Sequence, residues 1–159
     1  MNCEYNPFEL TLRPRWLSRL LGKLLGLNKL ADFYARRPQK SSPSQFLRYT
    51  LECLDVDFAI RDSKCNLDKI PSSGPLLVIA NHPLGGLEGV ALAELLLKHR
   101  PDLKVLTNEL LTRIPELASI FVGVDVLSTS ATQANRKGLL EISKHLKQGG
   151  ALLLFPAGK

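Results

Sequence analysis

Apolar positions along this chain follow two rhythms. Leu76-Leu77-Val78-Ile79-Ala80 is an apolar run of strand length without alternation, which predicts a strand buried on both faces. Lys104 to Thr107, Phe121 to Val126 and Ala151 to Phe155 read as further strands, and Asp57 to Arg61 as a short one. Between them the period lengthens to that of helices. Gln45 to Leu54 predicts a helix capped by Ser44, and Val90 to His99 one that is apolar all round except at Glu94 and Lys98. Asn108 to Ile120 predicts a helix interrupted at Pro115. Gln133 to Gln148 predicts a last helix with Leu139, Leu140, Ile142 and Leu146 on its buried side, ended by Gly149-Gly150. Strand and helix alternate, so the fold class is α/β, with a largely parallel central sheet flanked by helices.

Upstream the pattern changes. Trp16, Leu17, Leu20, Leu21, Leu24 and Leu25 recur at helical spacing within residues 13–37, with Arg19, Lys23 and Lys29 on or beside the opposite face. This predicts an N-terminal basic amphipathic helix in a segment spanning residues 1–40. A tryptophan near one end suits a helix lying in a membrane interface. Amphipathic helices also pack on their own domains, so both readings stand. The polar stretch Pro-Gln-Lys-Ser-Ser-Pro, residues 38–43, separates this segment from an α/β domain over 44–159.

Composition narrows the function classes. The 159 residues suffice for one domain with a sizeable core. A formal charge of +6 favours acidic partners: anionic lipid, an acidic carrier protein or nucleic acid. No nucleic-acid module accompanies the charge, and aromatics at 6% are too few for stacking platforms, so nucleic acid is set aside. Cys3, Cys53 and Cys65 are odd in number and lack CxxC spacing, which points to free thiols rather than a zinc site. No apolar run approaches the ~18–20 residues of a membrane-spanning helix. The first ten residues carry Glu4 and Glu9 without a signal-peptide core. The expectation is a cytoplasmic protein, peripheral on the cytoplasmic face of a membrane.

Candidate chemistry concentrates in Asn81-His82-Pro83-Leu84-Gly85-Gly86-Leu87-Glu88-Gly89, between the first core strand and the helix after it. Open α/β sheets bind ligands at the carboxyl ends of their strands. A neutral imidazole, His82, can take a proton from an attacking hydroxyl, and a carboxylate, Glu88, can orient it if the loop brings the two together. Amides at Gly85 and Gly86, near a helix start, suit an anion or a developing oxyanion. A histidine beside a strand end is also often structural, and a Gly-Gly pair often only turns the chain. Phe155-Pro156-Ala157-Gly158 follows another strand. If that strand runs parallel to the first, the two loops share one edge. Arg136 and Lys137 open the last helix on that side, where they are solvated or contact a phosphate. His99 and His145 fall near helix C-termini, as surface residues complementing the dipole.

The nonapeptide resembles the first motif of the glycerolipid (lysophospholipid) acyltransferase family, Asn-His, four residues, then Asp. Here five residues separate His82 from the acid, which is Glu88. That spacing is similar to the hemolysin-like branch, where His-Pro-x-Gly-x-Leu-Asp-Gly is common. Ile114-Pro115-Glu116-Leu117 with Phe121-Val122-Gly123-Val124-Asp125 is similar to the second family block, without its usual arginine. Phe155-Pro156-Ala157-Gly158 resembles the third, Phe-Pro-Glu-Gly, with alanine in the glutamate position. The three blocks occur in family order over residues 45–159.

The resemblance implies a glycerolipid-acyltransferase-like domain and O-acyl transfer from acyl carrier protein or coenzyme A to a lysophospholipid or lyso-aminolipid hydroxyl. His82 would be the general base, Glu88 its orienting acid, and Asn81 and Phe155 to Gly158 part of the substrate site. No metal or redox cofactor is implied. The absence of a G-x-S-x-G elbow disfavours a serine hydrolase. A non-catalytic membrane-binding module of the same shape is the alternative. Family members continue well past the third block. The expectation is therefore a truncated sheet with an unpaired edge or bare apolar face beyond Leu152 to Phe155, self-association and weak turnover.

Overall fold

The computed structural model describes residues 32–60, 67–81, 83, 86–125 and 131–156. The chain divides into two compact units, Met1–Gln39 and Lys40–Lys159. In the first, residues 32–35 form a helical turn. Arg37 closes it, with its guanidinium 3.8 Å above the Tyr34 ring and Nη1 donating to the Tyr34 carbonyl. The rest of the amphipathic segment expected over 13–37 lies outside the described residues.

The second unit carries a four-stranded, all-parallel sheet in the order β1-β4-β2-β3. The strands are β1 Leu76–Ile79, β2 Lys104–Asn108, β3 Phe121–Val124 and β4 Ala151–Leu154. Helices α1 Pro43–Cys53, α2 Gly86–His99 and α3 Ala131–Lys147 flank it. The α/β class and the parallel sheet expected from the sequence are what the chain adopts.

Connection handedness sorts the layers. The chain crosses the sheet one way from β1 through α2 to β2, and returns from β3 through α3 to β4. Right-handed crossovers in opposite directions place α2 and α3 on opposite faces. Residues paired across a parallel ladder share a face, so register divides the core. Leu152 pairs with Leu77 and Lys104, and it packs with Val122 and Ile142 against Leu106, Leu146 and Leu154 on the α3 side. Ala151, Leu153 and Val105 point the other way and are buried, as are Phe46, Leu47 and Leu51 of α1 and Ala93 and Leu96 of α2. α1 packs on α2, and Arg48 of α1 donates to Glu94 of α2 at 2.6 Å. Lys98 reaches the same Glu94 oxygen at 2.9 Å. Burial pushes the Glu94 carboxyl up, but these hydrogen bonds and the two charges outweigh it, and the group lies below its ordinary value.

One side chain ties the amino-terminal edge of the sheet. Arg100 is buried and grips Asp102 with a two-pronged bond, Nε to Oδ1 at 2.8 Å and Nη2 to Oδ2 at 2.7 Å. It also donates to the carbonyls of Pro71 at 3.1 Å and Gly149 at 2.8 Å. The lead-ins to β1, β2 and β4 are thus held by one guanidinium.

Several sequence expectations need correction. The cap of α1 is Ser42, not Ser44: Ser42 and Gln45 form a reciprocal capping box, and Pro43 fits the first helical position. Residues 57–60 form no strand, and the Phe58 amide is taken by the Asp57 side chain at 2.9 Å. The helix expected over Asn108 to Ile120 is two 3₁₀ turns, Glu109–Arg113 and Pro115–Leu117. Asn108 caps the first, and Pro115 cannot continue a helical ladder.

β1 is not buried on both faces. α3 packs on β3 and β4, which leaves Leu77 at 50% and Ile79 at 59% exposure on the sheet's outer strand. The bare surface expected beyond β4 therefore falls on β1, because β4 inserts between β1 and β2 and is paired on both sides.

Leu139 and Leu140 are exposed rather than buried. The inward stripe of α3 runs through Gly138 and Ile142, with His145 and Leu146 half-buried. Gly138 sits against β3 so closely that a Cβ there would lie 2.7 Å from the Gly123 carbonyl oxygen. α3 ends as expected, on Gly149 at φ +89. Gly150 leaves room for the His145 ring, whose Nε2 lies 3.1 Å from the Ala151 carbonyl oxygen.

Candidate active site

The carboxyl ends of all four strands face one edge, and the loops leaving there can share a site. Ile79 pairs in register with Leu154, and the Ala80 amide donates to the Leu154 carbonyl at 3.2 Å. The chain therefore leaves β1 toward Asn81 and β4 toward Phe155 about one strand spacing apart, roughly 4.8 Å. The shared edge, conditional in the sequence on parallel strands, is present. Asn81, Pro83 and Pro156 are exposed and Phe155 is half-buried. His82, Gly85, Ala157 and Gly158 lie outside the described residues.

Glu88 lies in the first turn of α2, which opens at Gly86. A carboxylate there meets the positive end of the helix dipole. The residue is half-buried and its Oε2 is buried, so the carboxylate is turned toward the protein rather than into bulk water. Gly86 is exposed, and a Cβ built on it meets none of the described residues within 4 Å.

Arg136 is exposed and stands apart from these residues. Its neighbour Asn135 clasps the end of β3: Oδ1 accepts from the Asp125 amide at 2.6 Å, and Nδ2 donates to the Asp125 carbonyl at 2.8 Å. Arg136 is therefore at the carboxyl edge but beside β3, the strand farthest from β1 in the sheet order. Thr107 and Asn108, which no motif marked out, end β2 at this edge, and β2 lies next to β4. Their signal in the sequence is Asn108, a capping residue type just after the Val105-Leu106-Thr107 stretch.

A cavity of about 450 Å³ opens elsewhere, at the amino-terminal edge, lined by Ser42, Asp102, Lys104, Ser119 and His145 among others. It lies at the opposite end of the strands from Asn81 and Phe155, so it is no part of this site. Among the described residues, no three His, Cys, Asp or Glu side chains gather as a metal ion would require.

A family model described as acyltransferase matches residues 12–159. The chain is 30% identical over 150 residues to a lyso-glycine lipid O-acyltransferase of Phocaeicola vulgatus, covering 91% of this chain and 49% of that protein. It is 25% identical over 146 residues to a lyso-glycine lipid O-acyltransferase of Bacteroides thetaiotaomicron, covering 91% and 50% respectively. The chain thus spans about half the length of the curated relatives it matches. No solved structure gives a significant match.

Proposed function

The chain belongs to the acyltransferase family, and from that premise we propose that it transfers a fatty acyl group from a thioester to the hydroxyl of a lyso-lipid. The donor is acyl carrier protein or coenzyme A. The acceptor is a lyso-aminolipid or a lysophospholipid, and the relatives named for a lyso-glycine lipid favour the first. One observation supports the reading: the pairing of Ile79 with Leu154, from which the chain leaves adjacent strands toward Asn81 and toward Phe155.

In this mechanism His82 takes the acceptor's hydroxyl proton as the oxygen attacks the thioester carbonyl. Glu88 orients the imidazole and stabilises its charged form. Amides at Gly85 and Gly86 receive the developing oxyanion or an acceptor phosphate. Collapse of the tetrahedral intermediate breaks the carbon–sulfur bond, and the imidazolium returns the proton to the departing thiolate. The products are the ester and the free thiol. Asn81 and Phe155 to Gly158 line the acceptor side, and Arg136 holds an anionic group farther along the edge. No metal or redox cofactor enters these steps.

The test incubates purified chain with an acyl-carrier-protein or an acyl-coenzyme A donor, each paired separately with each acceptor. The acceptor panel holds a lyso-glycine lipid and 1-acylglycerol-3-phosphate. Thiol release matched by ester formation is expected with at least one pair. Vesicle binding without either product would favour the non-catalytic module.

A further inference from the structure

The outer face of α3 is basic with a leucine in its middle. At about 3.6 residues per turn, residues spaced by three or four share a stripe. Arg136, Leu140, Lys144 and Lys147 follow at spacings of four, four and three, and all are exposed. Lys137 flanks the stripe on one side and Leu139 on the other. Leu140 is 60% exposed and Leu139 53%. The helix has a single carboxylate, Glu141, and it lies 3.6 Å from Lys104 of β2, at the flank of the stripe.

Two neighbouring exposed leucines among cations set this face apart from the polar outer face usual for an amphipathic helix. Long basic side chains around an apolar centre are what an anionic bilayer surface selects: ammonium and guanidinium groups meet headgroup phosphates, while leucine enters the acyl boundary. We infer that the outer face of α3 is a docking surface for an anionic lipid bilayer. It is a different stretch of the sequence from the basic segment over 13–37. The Asn135–Asp125 clasp fixes the start of α3 at the carboxyl edge of the sheet, so that edge lies at one end of the docking face. The choice of lipid over another polyanion rests on the proposed action on lyso-lipids.

The test uses the full chain, no acyl donor, and sedimentation with phosphatidylcholine vesicles with or without phosphatidylglycerol. Its outcome is therefore independent of turnover. Binding is expected only with the anionic lipid, weakening as salt rises. Replacing Lys144 and Lys147 together by Gln should weaken it roughly thirty-fold, from about tenfold per 1.4 kcal/mol and about 1 kcal/mol per cation. Leu140→Gln should weaken it as well, by an amount that salt leaves unchanged. Both variants should melt like the parent, since all three side chains are exposed. Parent-like binding by both folded variants would overturn the inference. So would equal binding to neutral vesicles, or loss in these variants of binding to an acidic soluble protein while vesicle binding persists.

Discussion

Ile79 and Leu154 are paired in register on adjacent parallel strands, so the two loops richest in candidate chemistry leave the sheet side by side. If His82 is the base, His82→Ala lowers turnover roughly 10²- to 10⁴-fold with no change in the thermal melt. Glu88→Gln also loses activity, whereas Glu88→Asp keeps or raises it, being the acid of the motif this loop resembles. Steady-state thiol release on the three variants is the measurement. Near-normal turnover in His82→Ala would remove that residue from the mechanism.

Arg100→Met removes the grip on Asp102 and the bonds to Pro71 and Gly149. The expected loss is about 3 kcal/mol, the low end for a broken buried pair, because the Asp102 side chain is itself 42% exposed. Urea unfolding reads it. Hydrogen bonds from Arg100 hold the Asp102 carboxyl below its ordinary value, against burial, which raises it; the Arg100 charge adds to the lowering. A carboxylate depressed in the folded state stabilises above its unfolded pKa and loses that contribution as pH falls through the folded one. Stability should therefore fall below about pH 4, and that acid limb should flatten in Arg100→Met.

Two glycines should respond differently to alanine. At Gly138 the new methyl meets the Gly123 carbonyl oxygen at 2.7 Å, backbone that cannot yield without moving α3 off β3. Overpacking of this kind costs about 1–3 kcal/mol, more than the ~1 kcal/mol that alanine gains in a helix. Gly86→Ala meets none of the described residues and should leave stability within about 0.5 kcal/mol. A fall in turnover there without a fall in stability would mark Gly86 as a place where substrate approaches the backbone.

Leu77 and Ile79 present an apolar strip on an edge strand, the arrangement that favours pairing between copies. Sedimentation equilibrium should show concentration-dependent association of the parent chain. Leu77→Lys with Ile79→Lys should suppress it, and the melt should change little because both positions are half-exposed. Association that survives the double variant would place the contact elsewhere.

β1, β3 and β4 were legible because each is an apolar run bounded by glycine, proline or polar residues, β2 from Val105-Leu106-Thr107 alone, and the candidate loops because two of the runs end in them. Strand order was not legible. Nothing local in Ala151 to Leu154 says that it enters between β1 and β2. Leu139 and Leu140 misled for a related reason. Hydrophobicity names leucine as the inward residue, but closeness of approach to Gly123 decided for Gly138. Arg100 gave no pattern at all, since its partners at Pro71 and Gly149 are distant in sequence and are backbone carbonyls.

The insertion of β4 sets an order of assembly. β1 has no strand partner among the described residues except β4, whereas β2 and β3 can pair with each other as soon as both exist. Until residues 151–154 arrive, β1 cannot join the sheet, and the slot beside β2 must stay open. Such late, non-local closure is slow and keeps apolar edges exposed while it lasts. The candidate active site straddles β1 and β4, so it is completed in the last step of folding. Recovery of turnover after dilution from denaturant should follow the slowest phase, well after the helices have formed.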